Sequence, residues 1–243
     1  TGRVADAALF LAPLIHEFGW AADDWNRLAQ GLTVGHLLEC SGQGSGGNFN
    51  SYLKNGWESV PDLGHIGYPI AEVSADGTAV ITKAPGTGGR VDFDTVRQQL
   101  LYEVHNPHAY FSPDVVLDMG TMKLDDLGGD RVRVSGATGK PRPDKLKIVA
   151  GYDDGWAGSA TLGYSWPGAM KKARATEAIV RRQLAELKLQ YDEIHTEFLG
   201  FNSLLGPLAD DSRIEELNEV YLKMSVRAKD RRLAEVFPRQ FPW

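Results

Sequence analysis

The sequence predicts an α/β protein in two parts: a mixed sheet with flanking helices over residues 1–143, then a smaller α+β part over residues 144–243. Three observations carry this expectation. Helical and strand-like hydrophobic periods alternate along the first part. The stretch 135–143, with Gly136, Gly139, Pro141 and Pro143, has the chemistry of a turn or linker. Beyond it the expected order becomes strand, helix, strand, strand, helix, which is that of a ferredoxin-like, split β-α-β sandwich whose last strand is not in view.

Taken in order, Ala7, Ala8, Leu11, Leu14, Ile15 and Phe18 stand at helical spacing and define a first apolar stripe, with Pro13 expected to kink it. Asp23 reads as the N-cap of a second helix running to about Gln30, with Trp25 and Leu28 turned inward. The apolar run 34–38 then leads into a loop, because the four glycines within Gly42-Gln43-Gly44-Ser45-Gly46-Gly47 make a helix or strand interior costly. Residues 69–73 and 78–82 read as a hairpin about Asp76-Gly77. A second glycine-rich loop, 83–89, leaves that hairpin and precedes a helix over about 93–104. Strands are expected at 114–117, 131–134 and 145–150, then a helix over 167–189, strands at 192–199 and 219–225, and a helix over 228–237.

Composition narrows the function classes. A chain of 243 residues, 42% hydrophobic and 24% charged, is an ordinary globular protein able to bury one large core or two smaller ones. A net charge of −6 argues against a broad nucleic-acid surface, and the basic stretches 171–182 and 227–232 interleave with acidic or apolar residues as solvated helix faces do. The lone Cys40 excludes an internal disulfide and fits a reducing compartment, with the cytoplasm as the expected location. Neither a membrane-length apolar run nor a signal peptide is visible. The chain opens at Thr1 without an initiator Met and enters directly into a helical pattern, as a piece of a longer protein would.

Several residues could carry chemistry. Gly44, Gly46 and Gly47 could turn backbone N–H groups towards one anion, or simply make a packing turn; the Gly-Lys-Ser/Thr of a P-loop is absent. Lys83, with Thr87, Gly88 and Gly89, places a cation beside backbone donors ahead of a helix N-terminus, which suits a pyrophosphate or carboxylate; the alternative is a connection with a solvated lysine. Arg3 and Asp6 share a helix face and form either an ion pair or a joint reach into a cleft. Cys40, beside Glu39, becomes a nucleophile only with a nearby base, and His36 faces it only if the segment is helical; a lone cysteine otherwise packs. His105 and His108 have metal-ligand spacing, but Asn106-Pro107 breaks the helix and no third ligand converges, so no metal is expected. Asp153-Asp154 supplies either an acid/base pair or one exposed cap and one structural acid.

Successive blocks give a resemblance. Thr1-Gly2-Arg3-Val4-Ala5-Asp6-Ala7, His36-Leu37-Leu38-Glu39-Cys40, Gly67-Tyr68-Pro69-Ile70-Ala71-Glu72-Val73 and Thr82-Lys83-Ala84-Pro85-Gly86-Thr87-Gly88-Gly89 look like the acyclic terpene utilisation AtuA family. Tyr102-Glu103-Val104-His105-Asn106-Pro107, Tyr110-Phe111-Ser112-Pro113-Asp114-Val115 and Gly151-Tyr152-Asp153-Asp154-Gly155-Trp156 extend the likeness, which is weaker after Asp210. The resemblance implies catabolism of branched terpenoid or related carboxylic acids, often as acyl-CoA esters, in a member longer on the N-terminal side. CoA then enters as part of the substrate, and no other cofactor is assigned. On this basis the expected function is acid/base hydration or elimination by Glu39, His105 or Asp153, with Lys83 and the two glycine-rich loops holding a small anionic substrate. A homo-oligomer is expected, with a small partner subunit as a further candidate and neither nucleic acid nor membrane as partner. The rival is a non-catalytic assembly or regulatory subunit.

Overall fold

The computed structural model describes residues 4–50 and 56–241, which group into two compact units, Thr1–Val149 and Ala150–Trp243. In the first unit, α1 (Ala8–Phe18) runs through Pro13, whose ring lies on the exposed face where the carbonyl left without a donor can meet water. Helix α1 ends at Gly19, in the left-handed region. Helix α2 (Trp25–Leu38) is capped by Asp24, one residue past the expected Asp23, with the carboxylate accepting from the Arg27 N–H at 3.2 Å. It continues well beyond Gln30, so that the apolar run 34–38 is helix. A Cβ on Gly31 would meet Leu11 and Trp20, and one on Gly35 would meet Ala7; the two glycines let α2 lie close against α1. Packing against α1 thus sustains a helix that propensity alone would end early.

Strands β1 (Pro69–Val73) and β2 (Ala79–Lys83) form the expected antiparallel hairpin, with Gly77 supplying the positive φ of its turn. Helix α3 (Phe93–Leu101) begins at Asp92, which forms a capping box with Thr95. Five short strands follow: β3 (Tyr110–Phe111), β4 (Val116–Asp118), β5 (Lys123–Asp126), β6 (Val132–Ser135) and β7 (Thr138–Lys140). The unit holds two antiparallel sheets, ordered β1-β2-β6-β5 and β3-β4-β7, in place of one mixed sheet; parallel pairing among the described residues is a bridge between Ile66 and Gly88. Leu11, Leu28, Leu32, Ile81, Leu117 and Val132 belong to one buried core.

The second unit comprises β8 (Trp156–Ser165), α4 (Ala169–Glu186), β9 (Glu193–Leu199), β10 (Glu219–Ala228) and α5 (Arg231–Val236). The strand expected at 145–150 is a correction: that segment pairs with nothing in the described structure and leaves Ile148 84% exposed. The strand lies instead at β8, whose Gly158, Ser159 and Gly163 are weak strand formers held extended by a ten-residue ladder with β10. Strand β10 lies between β8 and β9 and is antiparallel to both, so β8 and β9 run in the same direction with α4 between them in the chain. Alternation along β10 buries Val220, Leu222, Met224 and Val226 in a core with Met170, Val180 and Phe237, and Ala228 is buried at the strand's end.

Candidate functional site

The extension of α2 to Leu38 creates a polar cluster that residue spacing alone left open. With 36 and 39 on one helical face, the fully buried His36 sets its Nδ1 3.0 Å from Oε1 of Glu39. Its Nε2 lies 3.1 Å from the Leu100 carbonyl oxygen at the end of α3. The His36 carbonyl accepts from Gln99 at 2.9 Å, and Gln99 accepts in turn from Gln43 at 2.9 Å, so the ends of α2 and α3 are bound by side chains as well as by packing. The Glu39 side chain retains 11% exposure.

Tyr110, on β3, closes this cluster with its ring centroid 5.4 Å from that of His36. Burial, then the charges of Glu39, Glu103, Asp6 and Cys40, push its phenol above the ordinary tyrosine value, so it keeps its proton and remains a hydrogen-bond donor. Tyr102 is likewise raised, first by the charge of Glu103 and then by a hydrogen bond with it. Two residues beside the cluster, Ser41 and Glu103, have φ of 52° and 60°. Such left-handed conformations cost non-glycine residues on the order of 1 kcal/mol each and collect at functional sites.

Cys40 is half-buried and free, but both ring nitrogens of His36 are engaged elsewhere, so His36 does not serve as its base. Asp6 acts on Tyr110 through its charge; Arg3, its expected companion, lies outside the described residues. His36, Tyr102 and Tyr110 enter the cluster through tertiary contact. The signal available for them in the sequence was that each stands in a block carrying the family resemblance.

The two glycine-rich loops meet each other. The Arg90 N–H donates to the Ser45 carbonyl at 2.8 Å, and the Ser45 hydroxyl donates to the Gly67 carbonyl. The N–H groups of Gly46 and Gly47 go to Gln43 and Gly42, and those of Thr87, Gly88 and Gly89 go to Ala84, His65 and Pro61. A Cβ on Gly44 would meet the Leu37 carbonyl at 2.6 Å, and one on Gly89 the Ser45 carbonyl at 2.7 Å. These glycines permit close packing, and the five N–H groups just named are spent on protein carbonyls.

Lys83 is 8% exposed at its side chain, with Nζ 2.8 Å from the Thr87 carbonyl oxygen and 3.3 Å from Oδ2 of Asp130. Its ammonium has three donors, so one remains beyond these two partners among the described residues. His105 is exposed, and His108 is bound to Asp118 at 3.0 Å. Asp153 belongs to the second unit and accepts from the Gly155 N–H at 2.9 Å, while Asp154 lies 3.4 Å from Arg227. Among the described residues no three His, Cys, Asp or Glu side chains are grouped to hold a metal, and no helix is long and apolar enough to cross a membrane.

These features describe a mixed α/β protein, with several antiparallel sheets and five helices among the described residues, whose first unit carries a buried polar cluster at the ends of two helices. The chain belongs to the acyclic terpene utilisation family AtuA, whose family model matches residues 1–242. No curated protein and no solved structure matches it.

Proposed function

We propose that this chain is an enzyme of acyclic terpene utilisation that hydrates a branched carboxylic acid or its acyl-CoA ester, or eliminates water from it, with Glu39 as the acid/base group. The observation that carries the reading is the placement of Glu39: a carboxyl group retaining slight exposure, bonded to a buried imidazole and near a phenol kept protonated. Glu39, Glu103 and Asp6 all disfavour further negative charge near Tyr110, so the group that reacts there is uncharged, a hydroxyl or an alkene. The substrate's carboxylate or CoA phosphates bind elsewhere, and that part of the reading rests on the remaining donor of Lys83, with the glycine-rich loops as its scaffold. His105 and Asp153 stand behind Glu39 as acid/base candidates, because neither has a buried partner to orient it.

For the second unit we take the ferredoxin-like reading, supported by β8 and β9 flanking an antiparallel β10. A cytoplasmic homo-oligomer completes the proposal. The rival reading, an assembly or regulatory subunit, draws on Leu204 and Leu208 of this unit, 95% and 83% exposed.

The test is a thermal-shift screen against CoA, acyl-CoA esters and branched carboxylates, followed by turnover assays with the class that binds. Lys83→Ala should abolish the shift. Glu39→Gln should keep it and lower turnover at least about 100-fold, the usual scale for losing a positioned acid or base. If no class shifts the wild type, the assembly reading takes its place.

A further inference from the structure

We infer that His36 is a positioning residue that shares one proton with Glu39 and so sets the form in which Glu39 meets substrate; the catalytic part of this inference rests on the acid/base role proposed for Glu39. The argument is one of donors and acceptors. Nε2 of His36 faces the Leu100 carbonyl, which can only accept, so Nε2 carries a hydrogen. Nδ1 faces Oε1 of Glu39 at 3.0 Å. With Nε2 already protonated, that contact is a hydrogen bond in just two cases: imidazolium donating to carboxylate, or a protonated Glu39 donating to a neutral ring. Both contain the same proton, and both leave the pair without net charge. Removing it sets the Nδ1 lone pair against a carboxylate oxygen, inside a fold that gives the ring no room to turn.

The Tyr110 ring packs on that of His36, and the titratable groups that act on Tyr110 and Tyr102 come from several elements. Tyr110 packs from β3, Tyr102 and Glu103 follow α3, Cys40 follows α2, and Asp6 precedes α1. A shared proton leaves the pair without net charge close to Glu103 and Asp6, the acids that act on Tyr110. In turnover, the shared proton passes to substrate through Glu39 and leaves a carboxylate beside the neutral Nε2–H ring of His36; a proton taken up by the pair reverses the step. Nothing else is consumed. The Leu100 carbonyl holds the ring and Gln99 holds the His36 backbone carbonyl through this exchange, which is why His36 acts through Glu39 and does not itself touch substrate.

The pairing is tested without activity by ¹⁵N NMR of the full chain labelled at histidine ring nitrogens. The other five histidines, His16, His65, His105, His108 and His195, are exposed and serve as the comparison. His36, assigned by the signal lost in His36→Asn, should show a protonated, slowly exchanging Nε2 and an Nδ1 shifted by a strong hydrogen bond. A bare Nε2, or an Nε2 proton that exchanges as fast as those of the exposed five, overturns the inference. In turnover, His36→Asn keeps a donor at the Nδ1 position but has no proton to share, so it, like His36→Phe, should lower kcat about 100-fold with KM unchanged and displace the pH profile. A folded His36→Phe with an unaltered kcat and pH profile overturns the positioning role. If Glu39→Gln turns over normally, the acid/base reading and the catalytic role of His36 fall together, while the NMR result still decides the shared proton.

Discussion

Tyr110 shows at the scale of one residue how burial and charge become a pH dependence. Its folded phenol holds a proton to higher pH than an unfolded tyrosine does, because of burial and of Glu39, Glu103, Asp6 and Cys40. The stability linked to it is therefore complete below the unfolded value of about pH 10 and is lost as pH rises through the folded value. Thermal melts from about pH 9 upward should show Tyr110→Phe losing less stability than wild type over this range. Glycines give a second contrast. Gly88 lies where a Cβ would run into the backbone of Asp62, while Gly86 has open space around it and a φ of 77°. In urea titrations, Gly88→Ala should cost more than about 2 kcal/mol through overpacking and Gly86→Ala only about 1 kcal/mol through backbone strain. Equal costs would mean that Gly88 does not pack on Asp62 as described.

At the scale of elements, α2 and β8 both contradict their local propensity, in opposite ways. The glycines of α2 would shorten a free helix, but here they admit α1, and the added turns bring His36 beside Glu39. The glycines of β8 would weaken a free strand, yet Gly158 is required because a Cβ there would strike the Ala234 carbonyl of α5. Gly158→Val is thus a direct contest between β-propensity and packing. We expect packing to win, with a loss above about 2 kcal/mol measured by chemical denaturation; a neutral or stabilising change would show that α5 gives way.

At the scale of the molecule, each unit has its own buried core, and the chain from Pro141 to Gly155 contributes no strand or helix. We propose that this segment separates two domains. Limited trypsin digestion should cut first at Lys145 or Lys147 and leave two resistant fragments. First cleavage within α4 or the β1–β2 hairpin would count against the division. The same segment shows why the strand at 145–150 was legible and wrong: Leu146, Ile148 and Val149 have strand-forming side chains, but no partner strand accepts their backbone.

By itself the sequence determined the α/β character, the hairpin about Asp76-Gly77, the long helix of the second unit and membership of a family, since these depend on local periodicity, turn chemistry and contiguous blocks. Glu39 was also legible as a candidate acid. What only the tertiary structure decided was its company. His36, Leu100 and Tyr110 come together because three elements converge, and Gly46, Gly47, Gly88 and Gly89 pack because their N–H groups find carbonyls distant in the chain or across a tight turn. Hydrogen-bond partners and burial are properties of the folded chain, and they decide whether a glycine loop leaves its donors free and whether a carboxyl group stands beside a proton.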